Sequence, residues 1–300
     1  MNERSIKKNG GKVAVITGAS SGIGKATAEY LAKRGFKVFG LARREIKNDY
    51  INGVLCDVTD GARVSRVLSD IFAENGRIDC FINNAGMGIS GAVEQITQAE
   101  SDKLYNLNFR AVAECSRLVL PYLKQSKGVL INISSIAAII PIPFQTAYSA
   151  SKAAINSFTQ ALRLEVKPFG VRVAAIMPGD TKTGFTDARK KIGNETVNKS
   201  ANQISDKIGD KNTENRKTID IGCNNCDDYS ARLNRSVEKM EKDERGGKSP
   251  ESVAKVVYKT INKKNPPALK AVGFSYKLVA FLSKILPNRF MLYIVSKLYG

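Results

Sequence analysis

Histidine is absent from the 300-residue chain. Acid–base mechanisms built on an imidazole are therefore excluded, and so are zinc centres that use a histidine ligand. Cysteine is too scarce for a disulfide framework, at five residues in the whole chain. Cys56, Cys80 and Cys115 fall in predicted strands and a helix and read as small core residues. Cys223 and Cys226 form Cys-Asn-Asn-Cys, but a structural zinc site needs four ligands and no others lie nearby in the sequence, so no metal is expected. Long apolar runs are also missing. No stretch approaches the roughly 20 residues needed to cross a bilayer, and Met1 to Gly11 is short, polar and basic, without the apolar core of a secretory signal. A cytoplasmic protein is expected. Nucleic-acid modules are lacking despite a net charge of +19, so no nucleic-acid partner is expected.

What is present is a rhythm. Short apolar runs at Val13 to Ile16, Lys37 to Leu41, Val54 to Cys56, Asp79 to Ile82, Val129 to Ile133 and Val171 to Met177 read as strands. Between them, helical spacing covers Gly22 to Arg34, Asp60 to Asn75, Asp102 to Lys124 and Thr146 to Lys167. Repeated βαβ units with right-handed crossovers give a single α/β domain over residues 1–300, a doubly wound parallel Rossmann-type sheet with helices on both faces. Lys270 to Gly273 is a candidate seventh strand. Residues 184–249 read as a substrate lid carrying a polar insertion at about 193–228, too poor in large apolar residues to bury much. A Ser249-Pro250-Glu251 start signal opens a helix that ends before Pro266-Pro267.

The first strand runs into Thr17-Gly18-Ala19-Ser20-Ser21-Gly22-Ile23-Gly24 and then a helix. Glycines at Gly18, Gly22 and Gly24 let the backbone approach a pyrophosphate, which the free N–H groups of Ser20, Ser21 and Ile23 and the helix dipole would meet. A second strand that serves a free ribose 2′-hydroxyl usually ends in an acid. Here it ends Ala42-Arg43-Arg44. Two guanidiniums in place of the acid favour a 2′-phosphate, hence NADP(H) over NAD(H). Asp57-Val58, after the third strand, sits where adenine would lie. Tyr148 and Lys152 are four residues apart on one helix face, where an ammonium favours the phenolate of a tyrosine acting as acid or base.

Taken together, Gly-x3-Gly-x-Gly, Asn83-Asn84-Ala85-Gly86, Ser134-Ser135, Tyr148-Ser149-Ala150-Ser151-Lys152 and Pro178-Gly179 resemble the short-chain dehydrogenase/reductase family from about Lys12 to Thr183. The resemblance implies an oxidoreductase that moves a hydride between nicotinamide and a carbonyl or secondary alcohol. It makes Tyr148 the proton donor in reduction, with Lys152 on the nicotinamide ribose and lowering the tyrosine pKa. Ser135, thirteen residues before the tyrosine, would hold the substrate oxygen, and Asn108 would hold a water of the proton relay. Asn84, Ala85 and Gly86 would line the cofactor, with Asn84 tying the fourth strand to the glycine loop. Pro178, Gly179, Thr181 and Thr183 would flank the nicotinamide. Subunits would pair as a homodimer or homotetramer through the helices at Asp102 to Lys124 and Thr146 to Lys167.

The tail from Phe274 to Tyr299 is longer and more apolar than a simple reductase needs and is similar to the hydroxysteroid- and retinol-type branch. That favours a hydrophobic substrate, whether steroid-, retinoid- or lipid-like. A 3-oxoacyl thioester reductase, and a non-catalytic NADP(H)-binding regulator on the same fold, remain the alternatives. Phe274, Leu278, Phe281, Leu282 and Ile285 form one apolar stripe on a helix that Pro287 ends. The segment from Glu251 to Gly300 holds nine Lys or Arg and one Glu, a charge of +8. The stripe either packs on the domain or on another subunit, or rests on an anionic membrane surface.

Overall fold

The computed structural model describes residues 11–192 and 226–299. Seven strands form one parallel sheet: β1 (Val13–Thr17), β2 (Lys37–Ala42), β3 (Asn52–Leu55), β4 (Cys80–Asn83), β5 (Val129–Ile133), β6 (Arg172–Met177) and β7 (Leu269–Ala271). Their order is 3-2-1-4-5-6-7, so the winding direction reverses between β1 and β4, and ligands of such sheets bind at the carboxyl ends of the strands there. β1, β4 and β5 are buried at every residue, as continuous apolar runs covered on both faces must be.

Helices α1 (Gly22–Ala32) and α8 (Pro250–Ile261) cover one face, where Leu31, Val253 and Val257 meet Ile16, Ile82 and Ile131. On the other face lie α2 (Gly61–Asn75), α4 (Ala111–Ser126) and α5 (Thr146–Val166), whose Leu68, Val119 and Leu162 close over Phe81 and Leu130. Each large side chain so enclosed contributes about 1.5–3 kcal/mol. Local chemistry fixes the ends: Asp60 accepts the Arg63 N–H as the N-cap of α2, and Gly76, at φ 69°, closes it.

Three expectations change. The helix predicted over Asp102 to Lys124 is not one piece: α3 (Gln98–Tyr105) and α4 are joined by a π-helical turn, Asn106–Arg110, which turns Asn108 fully inward. π-turns often mark functional sites. Order returns well before Ser249, because α7 (Cys226–Arg245) places Leu233, Val237 and Met240 at i, i+4 and i+7 against Phe144. The rest of the polar insertion, Cys223 included, lies outside the described residues, and the Cys226 side chain is likewise not described. The tail forms α9 (Phe274–Ile285) and α10 (Asn288–Tyr299), but its predicted stripe does not face the domain: Phe274 is 81% exposed, Phe281 59% and Ile285 61%. The opposite side of α9, with Tyr276 and Ala280, is the side that packs.

Candidate active site

A cleft of about 930 Å³ opens along the carboxyl ends of β1 to β6. At one end the chain leaves β1 with Gly18 at φ 67° and Gly22 at φ 54°, the left-handed conformations that glycine tolerates. The N–H groups of Gly18 and Ala19 donate to Leu41 O at 2.8 and 3.3 Å, which pins the start of the loop to β2. A Cβ on Gly24 would overlap the Gly18 carbonyl and the Asn84 amide. The backbone is thus as close as it can be where Ser20, Ser21, Gly22 and Ile23 line the cleft at the start of α1. Ser21 caps that helix in extended conformation without a side-chain bond, and the geometry suits a pyrophosphate.

Asn84 holds this loop as expected. Its Nδ2 donates to Thr17 O at 2.9 Å and Gly18 O at 3.3 Å, while Thr17 Oγ1 accepts the N–H groups of Asn84 and Ala85. Thr17 is the residue the sequence reading missed here. At the far end, Arg43 and Arg44 are exposed on the cleft wall, with no ion pair to either among the described residues. Asp57 also lines this end, but its carboxylate accepts from the N–H and hydroxyl of Thr59 at 3.0 and 2.8 Å. That backbone bond holds its pKa below the usual carboxylate value. Val58 is buried beside it.

At the other end α5 presents Tyr148 and Lys152. Lys152 is buried, its Nζ donating to Ile133 O at 3.0 Å and lying 5.8 Å from the Tyr148 ring centre. Desolvation lowers its pKa to about 8. Tyr148 keeps part of its surface open to the cleft, yet burial pushes its phenol up to about 12, against a hydrogen bond with Ser135 and the charge of Arg189. The expected lowering by Lys152 is therefore outweighed here by burial. A phenol held protonated is suited to giving a proton rather than taking one. Ser134 and Ser135 divide: Ser134 Oγ is buried and donates to Lys152 O at 3.2 Å, whereas Ser135 faces the cleft.

Asn108 comes up beneath this end. Its amide exchanges bonds of 2.8 and 2.9 Å with the backbone of Met87 and donates to Ser151 Oγ at 3.2 Å. Ser151 in turn donates to Tyr148 O at 2.7 Å, so the π-turn, the loop after β4 and α5 are knitted together. A Cβ on Gly86 would come within 3.2 Å of Asn108 Oδ1. Pro178, Gly179, Thr181 and Thr183 line the wall that follows β6. Thr181 Oγ1 donates to Gly179 O at 2.9 Å, and Thr183 packs against Gly22.

The remaining wall comes from residues without a motif. Gln145, Ile142, Phe185, Thr186, Asp180 and Glu244 surround the Tyr148 end, and the Phe185 ring lies 5.9 Å from that of Tyr148. Tyr276 of α9 covers Gly179, where a Cβ would overlap its ring, accepts the Asp180 N–H at 3.1 Å and donates to the Asp180 carboxylate. The tail is therefore part of the wall of the cleft.

A Rossmann sheet of this order, a glycine cradle and a Ser-Tyr-Lys set at the opposite end define an NAD(P)(H)-binding oxidoreductase. The chain belongs to the short-chain dehydrogenase/reductase family, whose short chain dehydrogenase profile matches residues 12–193. It is similar to the 3-ketodihydrosphingosine reductase of Bacteroides thetaiotaomicron, 37% identical over 292 residues that make up 96% of this chain and 98% of the relative. The 3-oxoacyl-(acyl-carrier-protein) reductase of Escherichia coli K12 is 35% identical over 187 residues, 59% of this chain and 77% of the relative. Among solved structures, a short-chain dehydrogenase from Streptomyces avermitilis superposes with a TM-score of 0.72 at 27% identity, covering 95% of this chain and 96% of the other. Among the described residues no helix is long and apolar enough to cross a membrane.

Proposed function

We propose that this protein is an NADPH-dependent reductase of a hydrophobic ketone, of the long-chain amino-ketone type exemplified by 3-ketodihydrosphingosine. NADPH, when bound, supplies the hydride. Arg43 and Arg44 hold the 2′-phosphate, the α1 start holds the pyrophosphate, and Lys152 holds the ribose. Asp57, Asn84 to Gly86 and Pro178 to Thr183 orient the two ends. Ser135 binds the ketone oxygen, and Tyr148 gives that oxygen its proton, to be resupplied through the Asn108 side of the cleft. Because burial keeps the phenol protonated, reduction is the favoured direction of proton transfer.

The observation that carries the substrate class is the extent of likeness: kinship with the 3-ketodihydrosphingosine reductase runs through the lid and tail, beyond the part shared with the 3-oxoacyl reductase. The tail suits a lipid substrate. Phe274, Leu278, Phe281 and Ile285 on α9, and Phe290, Leu292, Tyr293 and Leu298 on α10, are exposed beside Lys277, Lys284, Arg289 and Lys297. Such a face lies on an anionic bilayer, where a greasy ketone passes into the cleft without crossing water. Subunits pair through α4 and α5, and exposed Leu164 at the end of α5 supports that contact. The test is NADPH oxidation with 3-ketodihydrosphingosine, a 3-oxoacyl thioester, a steroid ketone and retinal. The amino ketone should be the best substrate. A thioester preferred over it would overturn the assignment, and turnover of none would leave only an NADP(H)-binding role.

A further inference from the structure

The Tyr148 end of the cleft carries charge that the family motifs do not account for. Glu244, the penultimate residue of α7, reaches into the cleft with its side chain 18% exposed. Thr186 Oγ1 donates to one carboxylate oxygen at 2.6 Å and Arg189 Nη2 donates to the other. The carboxylate is thus fixed by two residues of the segment that follows β6, and its charge reaches Tyr148. Arg189 itself is 5% exposed and gives only Nη2, leaving Nε and Nη1 buried without partners. A guanidinium and carboxylate of equal need would close as a fork with two parallel bonds. This pair is open, and two lone-pair positions on Glu244 remain unused.

Asp180 is the second carboxylate on the same wall. It bonds to Tyr276, a neutral partner, and burial raises its pKa, as do the charges of Asp243 and Glu244. The nearest other cation, Lys239, is paired with Asp243 at 2.9 Å. Two carboxylates against Arg189 therefore leave one negative charge uncompensated beside the reacting oxygen. The other cations lining the cleft do not offset it: Arg43 and Arg44 belong to the adenosine end, Lys152 is tied to Ile133 O, and Lys103 and Lys190 are exposed, with Lys190 paired to Glu100 at 2.5 Å. A half-buried carboxylate without a cation is costly unless a ligand brings one.

We infer that Glu244 and Asp180 form a subsite for a protonated amine on the carbon next to the ketone, so that the cleft selects α-amino ketones over neutral ones. The inference rests on the amino-ketone reading above and gives it its specificity residues. It separates the two relatives, since a 3-oxoacyl thioester has no cation at that position. The α7 helix that delivers Glu244 also shapes the entrance for the hydrocarbon, through Leu233, Val237 and Met240 packed on Phe144.

The test compares 3-ketodihydrosphingosine with its N-acetyl derivative, which keeps the ketone and the chain but removes the charge. Wild type should prefer the free amine in kcat/KM. Glu244→Gln keeps an oxygen for Thr186, so it should lose about 10- to 100-fold on the free amine and change little on the N-acetyl ketone, with NADPH affinity by fluorescence titration unaltered. Asp180→Asn, which keeps a partner for Tyr276, should narrow the same preference, and it reads the subsite should the first variant fold poorly. Equal losses of Glu244→Gln on both ketones, or unchanged discrimination in both variants, overturn the subsite while leaving the reductase assignment standing. Wild-type turnover of the N-acetyl ketone without turnover of the free amine overturns the assignment and the subsite together.

Discussion

The two ends of the cleft are built by different means. At the phosphate end, backbone does the work: positive φ at Gly18 and Gly22 and contact at Gly24 leave no space for a side chain other than hydrogen. At the Tyr148 end, side chains from α5, α7, the segment after β6 and the tail converge across long separations, as in Glu244 to Arg189 and Tyr276 to Asp180. A backbone-determined site tolerates few sequences and so carries a short motif. A side-chain site can be met by many combinations, and it is there that one reductase differs from another.

The sharpest way to break this contrast is Tyr148→Phe. Deleting one hydroxyl should cut reduction by about 10²- to 10⁴-fold while NADPH affinity, measured by fluorescence titration, changes less than threefold. Near-normal turnover would remove Tyr148 from the mechanism. A smaller effect is expected at the adenosine end from Ala42→Asp with Arg43→Ala. Loss of a guanidinium partner and gain of repulsion should shift the NADPH to NADH ratio of kcat/KM by about 10- to 100-fold toward NADH. Equal use of both coenzymes by the unmodified protein would refute the preference. The smallest concerns the outer face of the tail: each lysine near an anionic surface contributes about 1 kcal/mol. Lys277→Glu with Lys284→Glu should therefore release the protein from phosphatidylserine vesicles at low salt without altering turnover of a dispersed substrate. If the intact protein does not sediment with such vesicles, and light scattering shows that Phe281→Ser dissociates an oligomer, the exposed stripe is a subunit contact instead.

Legibility followed the same division. β5 matches its predicted bounds because five apolar residues buried on both faces have no competing reading. The glycine loop and Asn84 were visible because steric necessity leaves the same residues in the same order. Asn108 was named, yet its π-turn was not foreseen, since helical periodicity does not report one extra residue in a turn. α7 was overlooked under its charges, although Leu233, Val237 and Met240 carry a helical stripe. The tail stripe was correctly spaced but faces outward, because an amphipathic pattern defines a face and not its neighbour. Thr17, Arg189 and Glu244 had no local signal at all: their meaning lies in partners 67, 55 and 58 residues away.

Tyr276 lying on Gly179 has a consequence for recombination between relatives. The loop after β6 and the tail are separated by most of a hundred residues, yet they are one machined joint. A relative without the tail is free to carry a side chain where Gly179 stands, and grafting that loop into this chain would lift Tyr276 away and strip Asp180 of its hydroxyl partner. Swapping the tail alone would instead uncover Asp180. Chimeras intended to exchange substrate range should therefore transplant the loop and the tail as a single cassette, with the crossover points placed outside residues 178–183 and 273–299.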